Sequence, residues 1–139
     1  MARGFSQKEG IDYEETFALV AQYTSIRATM ALASMMKWDL HQMDVKIAFL
    51  NGVIKEVYIE QPQGFEVEDM HTHVCKLKKE LYGLKQAPRA WYERIDGFLS
   101  SMGFTKSKAG PNLYLKVVED ELVILLLYVD DLSLIGNEK

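Results

Sequence analysis

The run Leu122-Val123-Ile124-Leu125-Leu126-Leu127 contains no polar side chain, and it constrains the fold more than any other feature of the chain. Six apolar residues in a row fit neither the alternation of a half-solvated strand nor the 3.6-residue period of a surface helix. A run this short, wholly apolar and bounded by turn residues, predicts a strand covered on both faces. Leu113 to Val118 precedes it across a tight Glu119-Asp120 turn, so the two form a hairpin. Asp130-Asp131 interrupts the pattern, and Leu132, Leu134 and Ile135 resume it before Gly136. The last third of the chain therefore reads as β, and its apolar centre needs helices to cover it.

Two upstream segments supply them. From Pro88 to Met102, the residues Trp91, Ile95, Phe98, Leu99 and Met102 follow helical spacing, with Arg89, Glu93, Arg94, Ser100 and Ser101 elsewhere. Pro88 suits a first turn, and Gly103 followed by Phe104 is a stop signal. An earlier helix is predicted from an N-cap at Thr24 or Ser25 to about Lys37. Its apolar residues, among them Ile26, Met30, Ala33, Met35 and Met36, cover most of the circumference, so it is expected to be largely buried. Between the helices, Trp38 to Val45 is extended, Asn51-Gly52 signals a turn, and Val57 to Ile59 and Val74 to Leu77 are short strands. The first 22 residues are polar and punctuated and read as a loop or a severed edge. Helices on a mainly antiparallel sheet give an α+β fold. At 139 residues one domain is the natural expectation.

Composition narrows the function classes. The longest apolar run, Leu122 to Val129, is far shorter than the roughly 18 residues of a membrane span, and the N-terminus has no apolar leader. A single cysteine, Cys75, fits a reducing compartment. An intracellular, cytoplasmic location is expected. The net charge of −4 argues against a histone-like nucleic-acid binder. Locally the balance reverses: Lys76 to Arg94 holds Lys76, Lys78, Lys79, Lys85, Arg89 and Arg94 against Glu80 and Glu93. With Tyr82, Trp91 and Tyr92 interleaved, this stretch reads either as a solvated charged face or as a surface for a nucleic-acid backbone. Trp91 occupies a core-periodic position and reads as packing.

Asp130-Asp131, at the tip of an otherwise apolar β-β unit, is either a hairpin turn or a cation site. Hairpin turns favour Asn-Gly or Asp-Gly, and two adjacent carboxylates repel one another without a cation. Asp44 ends the extended segment Leu40-His41-Gln42-Met43. If that strand lies beside the Asp130 hairpin, three carboxylates meet at one sheet edge. Such hard oxygen donors suit Mg²⁺, and two ions about 4 Å apart can activate a hydroxyl and stabilise a departing pyrophosphate. His71, His73 and Cys75 alternate like a zinc half-site but lack a fourth ligand; Cys75 reads rather as a small buried residue.

Several phrases of the chain resemble one family. Gln42-Met43-Asp44-Val45-Lys46-Ile47-Ala48-Phe49-Leu50-Asn51-Gly52 resembles motif A of copia-type retrotransposon reverse transcriptases. Leu81-Tyr82-Gly83-Leu84-Lys85-Gln86-Ala87-Pro88-Arg89-Ala90-Trp91-Tyr92 resembles motif B, and Tyr128-Val129-Asp130-Asp131 motif C. Phe5-Ser6-Gln7, Thr24-Ser25-Ile26-Arg27, Gln61-Pro62 and Val74-Cys75-Lys76-Leu77 agree in the same order. The resemblance implies one partial domain over residues 1–139, a fingers–palm portion with an antiparallel palm sheet backed by helices, without thumb or RNase H. It implies RNA-directed DNA polymerase chemistry, with Asp44, Asp130 and Asp131 as catalytic ligands of two Mg²⁺, or Mn²⁺. Phe49 is then the steric gate against a 2′-hydroxyl, the Ala48 N–H faces the sugar 3′-hydroxyl, and Tyr82 meets the incoming dNTP. Lys76, Lys78, Lys79, Lys85 and Arg89 are then candidates for contacts to an RNA or DNA primer–template. The remaining partner implied is the rest of a Pol polyprotein, in a virus-like particle.

The sequence departs from the family at Leu19 (usually Pro), Ile47 (usually Thr) and Gly110 (usually Asp). The resemblance also places a basic triphosphate-holding segment upstream of residue 1, so the isolated chain is expected to be inactive. A catalytically dead remnant that folds or binds nucleic acid weakly is the rival reading. A carboxylate-based phosphohydrolase accounts for the aspartates but not for motif B or Phe49.

Overall fold

The apolar run becomes the centre of a sheet. A computed structural model of the chain describes residues 3–14, 16, 22–67 and 72–137. In chain order the elements are α1 (Tyr23–Met36), β1 (Asp39–Asp44), β2 (Tyr58–Ile59), β3 (Cys75–Lys76), α2 (Ala87–Ser101), β4 (Thr105–Lys106), β5 (Leu113–Val118), β6 (Glu121–Tyr128) and β7 (Asp131–Gly136). Short 3₁₀ turns cover Gly4–Ser6 and Ala48–Asn51. Five strands form one sheet in the order β1-β7-β6-β5-β4, and β2 pairs with β3 separately. Every one of these pairings is antiparallel, which is the α+β architecture expected.

Strand β6 is central in that order, and its residues Ile124 to Leu127 are all buried, successive side chains entering opposite faces. On one face Leu125 and Leu127 join Tyr114 of β5, Phe104, Ala48 and the α2 residues Trp91, Ile95 and Leu99. Full burial of side chains of this size stabilises by about 1.5–3 kcal/mol each, so α2 is held mainly by these three residues. On the other face Ile124 and Ile135 meet Ala33 of α1, with Trp38 alongside. Tyr114, fully buried, donates its hydroxyl to Asp96 Oδ1 of α2 at 2.8 Å, and Lys106 Nζ reaches the same oxygen at 3.0 Å. The buried phenol is held above its ordinary pKa by desolvation first and then by its neighbours Tyr92 and Asp96.

The turns follow their chemistry. Glu119 and Asp120 both have positive φ, 50° and 67°, as a two-residue hairpin turn between right-twisted strands requires. Helix α2 has Pro88 in its first turn and ends before Gly103, whose φ of +86° allows Phe104 to fold back and donate to the Leu99 carbonyl. Helix α1 begins two or three residues before the expected start: its N-cap is Gln22, without a side-chain cap, in place of Thr24 or Ser25.

Burial of α1 is the main correction. Only Thr29 and Ala33 of this helix are buried, while Met30, Leu32, Met35 and Met36 are exposed. An apolar circumference states what a helix is able to bury, and among the described residues only the Ala33 side finds a sheet to cover. In α2, likewise, Phe98 and Met102 lie on the exposed side although their spacing matches the buried stripe. Strand β4 carries too little pattern at two residues to be read from the sequence.

Truncation of Leu127 to Ala is expected to lower unfolding free energy by about 2–5 kcal/mol. Met35→Ala, at a residue 81% exposed, is expected to change it by less than about 0.5 kcal/mol. Urea unfolding of both variants checks the assignment; a large loss at Met35 would contradict it.

Candidate active site

The register of edge strand β1 against its neighbour β7 places the first pair of acidic residues. Strand β1 pairs with β7 so that Asp44 stands directly opposite Asp131. The Val45 N–H donates to the Asp130 carbonyl at 2.8 Å, one residue beyond that pair. Asp44 and Asp131 therefore form a non-hydrogen-bonded pair, the arrangement in which cross-strand side chains lie closest. Tyr128 of β6 is opposite Asp131 in turn, so Tyr128, Asp131 and Asp44 make one row across three strands. Strand alternation puts this row on the same face as Ile124, Ile135 and Leu40, the face opposite α2. Asp44 is exposed and Asp131 half-buried. Like charges placed opposite one another destabilise a sheet, so this pair has no stabilising role of its own.

Asp130 is not on the strand. It occupies the two-residue turn Val129-Asp130 between β6 and β7, and Val129 has a φ of 55°. A β-branched residue in the left-handed region costs about 1–2 kcal/mol and needs surrounding structure to hold it there. Trp91 supplies part of that support: its Nε1–H donates to the Val129 carbonyl at 2.7 Å. The same indole packs in the cluster that holds Ala48. One residue of α2 is thus bonded to the turn that bears Asp130 and packed with the loop that follows Asp44.

That loop has its own strained residue. Ile47 has φ 54° and ψ 38°, and it starts the 3₁₀ turn Ala48–Asn51. Leu50 N–H and Asn51 Nδ2 both donate to the Ile47 carbonyl, at 2.9 and 3.3 Å. Gly52 lies against α2, where an added Cβ would meet Ala90 and Trp91 at 3.1 Å. The turn buries Ala48 completely and leaves Phe49 half-buried against the core. The Phe49 ring meets the Tyr82 ring, centroids 4.6 Å apart and planes at 50°. Phe49 and Tyr82, separated by 33 positions in the sequence, thus form one aromatic corner.

The sequence profile of the family described as "Reverse transcriptase (RNA-dependent DNA polymerase)" matches residues 1–139. The chain belongs to this reverse transcriptase family. It is 48% identical over 141 residues to the "Retrovirus-related Pol polyprotein from transposon TNT 1-94" of Nicotiana tabacum, covering 100% of the chain and 11% of that relative. It is 43% identical over 139 residues to the corresponding polyprotein from transposon RE1 of Arabidopsis thaliana, covering 99% and 10%. To the one from transposon RE2 of the same plant it is 42% identical, with the same coverage. The chain thus spans about a tenth of the length of these relatives. No solved structure matches the chain.

In this reverse transcriptase chain, the residues anticipated from the sequence fall into three groups. Asp44, Asp130 and Asp131 share one sheet edge, yet among the described residues no three His, Cys, Asp or Glu side chains are gathered as a ready ligand cluster. Phe49 and Tyr82 touch. The basic residues are spread over several elements. Lys76 pairs with Glu56 on the β2–β3 side, Arg89 Nε donates to Glu93 at 3.3 Å on α2, and Lys78, Lys79 and Lys85 are exposed. The Glu56 bond and charge raise the Lys76 pKa and lower that of Glu56. Exposed pairs of this kind contribute little to stability. His71 and Leu19 lie outside the described residues. His73 is exposed and its carbonyl accepts from Gln61 Nε2, while Cys75 is half-buried. An open cleft of about 800 Å³ lies between the N-terminal segment and β2; Asp12, Glu56, Glu60, Glu66, Arg3 and Leu81 are among its lining, and none of the three aspartates of the sheet edge is.

Trp91 was legible only as a core residue; a buried indole N–H needs an acceptor, and that requirement was the available signal. Glu80 gave no signal. Its side chain is 1% exposed, and Oε2 has no hydrogen-bond partner among the described residues. Burial raises its carboxyl above the ordinary 4.5. Folding therefore favours the protonated acid. The stabilisation is complete below the unfolded pKa and is lost as pH rises through the folded one. Glu80→Gln, which cannot ionise, is expected to raise the melting temperature by several degrees at pH 7. The gain should vanish by about pH 4. Equal melting temperatures at pH 7 would contradict this account.

Proposed function

We propose that this chain is the fingers–palm portion of an RNA-directed DNA polymerase, transferring a nucleotidyl group from a dNTP to a primer 3′-hydroxyl. The observation that carries the reading is the register that sets Asp44 opposite Asp131 beside the Asp130 turn, in a chain of the reverse transcriptase family.

The residues fit a divalent cation by donor type and place. They are carboxylates only, two of them face each other at close range, and their mutual repulsion lacks a structural purpose. Mg²⁺ needs only one or two carboxylates per ion, because waters and substrate phosphates complete its shell. Asp44, Asp130 and Asp131 would hold two Mg²⁺, or Mn²⁺. Bound there, the ions would acidify the primer hydroxyl and neutralise the triphosphate. The chain's own contribution is positional. Phe49, fixed against Tyr82 and the core, presents a ring under the sugar that leaves room for hydrogen and not for a 2′-hydroxyl. The backbone N–H of Ala48 is assigned to the sugar; the whole residue is buried, so this contact requires the turn to open. Tyr82 borders the incoming nucleotide. Lys76, Lys78, Lys79, Lys85 and Arg89 contact the primer–template backbone. The relatives are parts of larger Pol polyproteins, and the remainder of such a polyprotein is the proposed partner, in the cytoplasm or a virus-like particle. No helix among the described residues is long and apolar enough to cross a membrane.

The rival reading, a remnant that folds without polymerising, draws on the ungathered carboxylates. Mg²⁺-dependent primer extension separates the two. In a Pol polyprotein that contains this chain, Asp44→Asn and Asp130→Asn are each expected to reduce incorporation by at least a hundredfold. Phe49→Val is expected to keep dNTP incorporation and raise ribonucleotide use at least tenfold. Near-normal extension by either Asn variant would sink the metal assignment, and salt-sensitive binding without extension by the unaltered protein would favour the remnant.

A further inference from the structure

The phrase Phe5-Ser6-Gln7 plays no part in the proposed chemistry, yet the segment that contains it lies against the loop that bears Tyr82. Gly4 is buried, and a Cβ added to it would lie 1.7 Å from the Gly83 carbonyl oxygen, so the two backbones are in direct contact. Gln7 is bound twice: its Oε1 accepts the Lys85 N–H at 2.8 Å, and its Nε2 donates to Gln86 Oε1 at 2.9 Å. Gln7 itself is part-buried. The loop it grips is otherwise weakly tied. Gly83 has a φ of +101°, and the loop's own backbone bonds, Leu84 N–H to Leu81 O and Ala87 N–H to Leu84 O, are both 3.3 Å long. The Nε2 of Gln86 is already buried without a partner, so loss of Gln7 would leave both ends of that amide unpaired.

We propose that Gln7 is a positioning residue. It fixes Lys85 and Gln86, and Gly4 fixes Gly83, so that the intervening backbone delivers the Tyr82 ring to Phe49. A side chain of this length with one acceptor and one donor on the same amide meets both requirements. Glu offers the acceptor alone, and Ala neither. The role of the corner in nucleotide binding rests on the reading above; the clamp itself rests on geometry alone.

The test uses the purified 139-residue chain with Gln7→Ala, Gln7→Glu and, as a control on the same segment, Phe5→Ala, whose parent side chain is 83% exposed. Two quantities are read: amide hydrogen exchange at Lys85 relative to Leu127, and the dissociation constant of dATP with Mg²⁺ by equilibrium dialysis. Gln7→Ala is expected to speed Lys85 exchange about five- to tenfold without a matching change at Leu127, and to weaken dATP by a similar factor. Gln7→Glu should fall between, and Phe5→Ala should match the unaltered chain. Lys85 exchange that stays unchanged, or that rises only in step with Leu127, overturns the clamp. Equal dATP affinity in Gln7→Ala and the unaltered chain overturns the positioning role while leaving the nucleotide site standing. If the unaltered chain binds no dATP, the dialysis is run on a Pol polyprotein that contains it; absence of binding there removes the nucleotide reading, and the exchange ratio still decides the clamp.

Discussion

The hydrogen bond from the Trp91 indole N–H to the Val129 carbonyl, 2.7 Å long, ties the proposed site to the core. Val129 sits in a backbone conformation that β-branched residues avoid, and Asp130 follows it directly. Trp91 and the Val45 N–H, which donates to the Asp130 carbonyl, brace that turn from two sides. Trp91 is itself fixed by burial with Ile95 and Leu99 against the centre of the sheet. Since Ala48 packs in the same cluster, the loop after Asp44 and the turn before Asp131 are referenced to one indole. Residues far apart in the chain thereby share a local frame.

The cost of this arrangement is visible. Ile47 and Val129 are both β-branched and both left-handed, and Asp44 stands opposite the like-charged Asp131. Local strain and like-charge pairs persist where the rest of the fold over-determines them, and they cluster at working sites. Here they flank the same sheet edge. The buried acid of Glu80 and the Gln7 contacts belong to the neighbouring loop, the one that bears Tyr82.

The fold was legible where pattern and burial coincide. The apolar run Leu122–Leu127, the Glu119-Asp120 turn and the Pro88-to-Gly103 helix follow from spacing and turn chemistry, and all stand in the structure. The facing of Asp44 and Asp131 was conditional in the sequence, because register is a long-range property; the pairing of β1 with β7 supplied it. Helix α1 was misjudged because hydrophobicity reports what a residue favours and not what it meets: Met35 is apolar and 81% exposed. Glu80 and Gln7 were invisible for a related reason. The burial of Glu80 and the bonds of Gln7 to the Lys85 N–H and Gln86 Oε1 come from loop packing that no periodicity encodes.

The edge formed by Asp44, Asp130 and Asp131 is the cation site that we propose for the chain. Paramagnetic line broadening by substoichiometric Mn²⁺ in a backbone-assigned NMR spectrum reads it residue by residue. The amides of Asp44, Val45, Asp130 and Asp131 are expected to broaden first, and Asp131→Asn to remove the effect. Broadening that begins instead in the acidic cleft lined by Asp12, Glu60 and Glu66, with the sheet edge untouched, would contradict it.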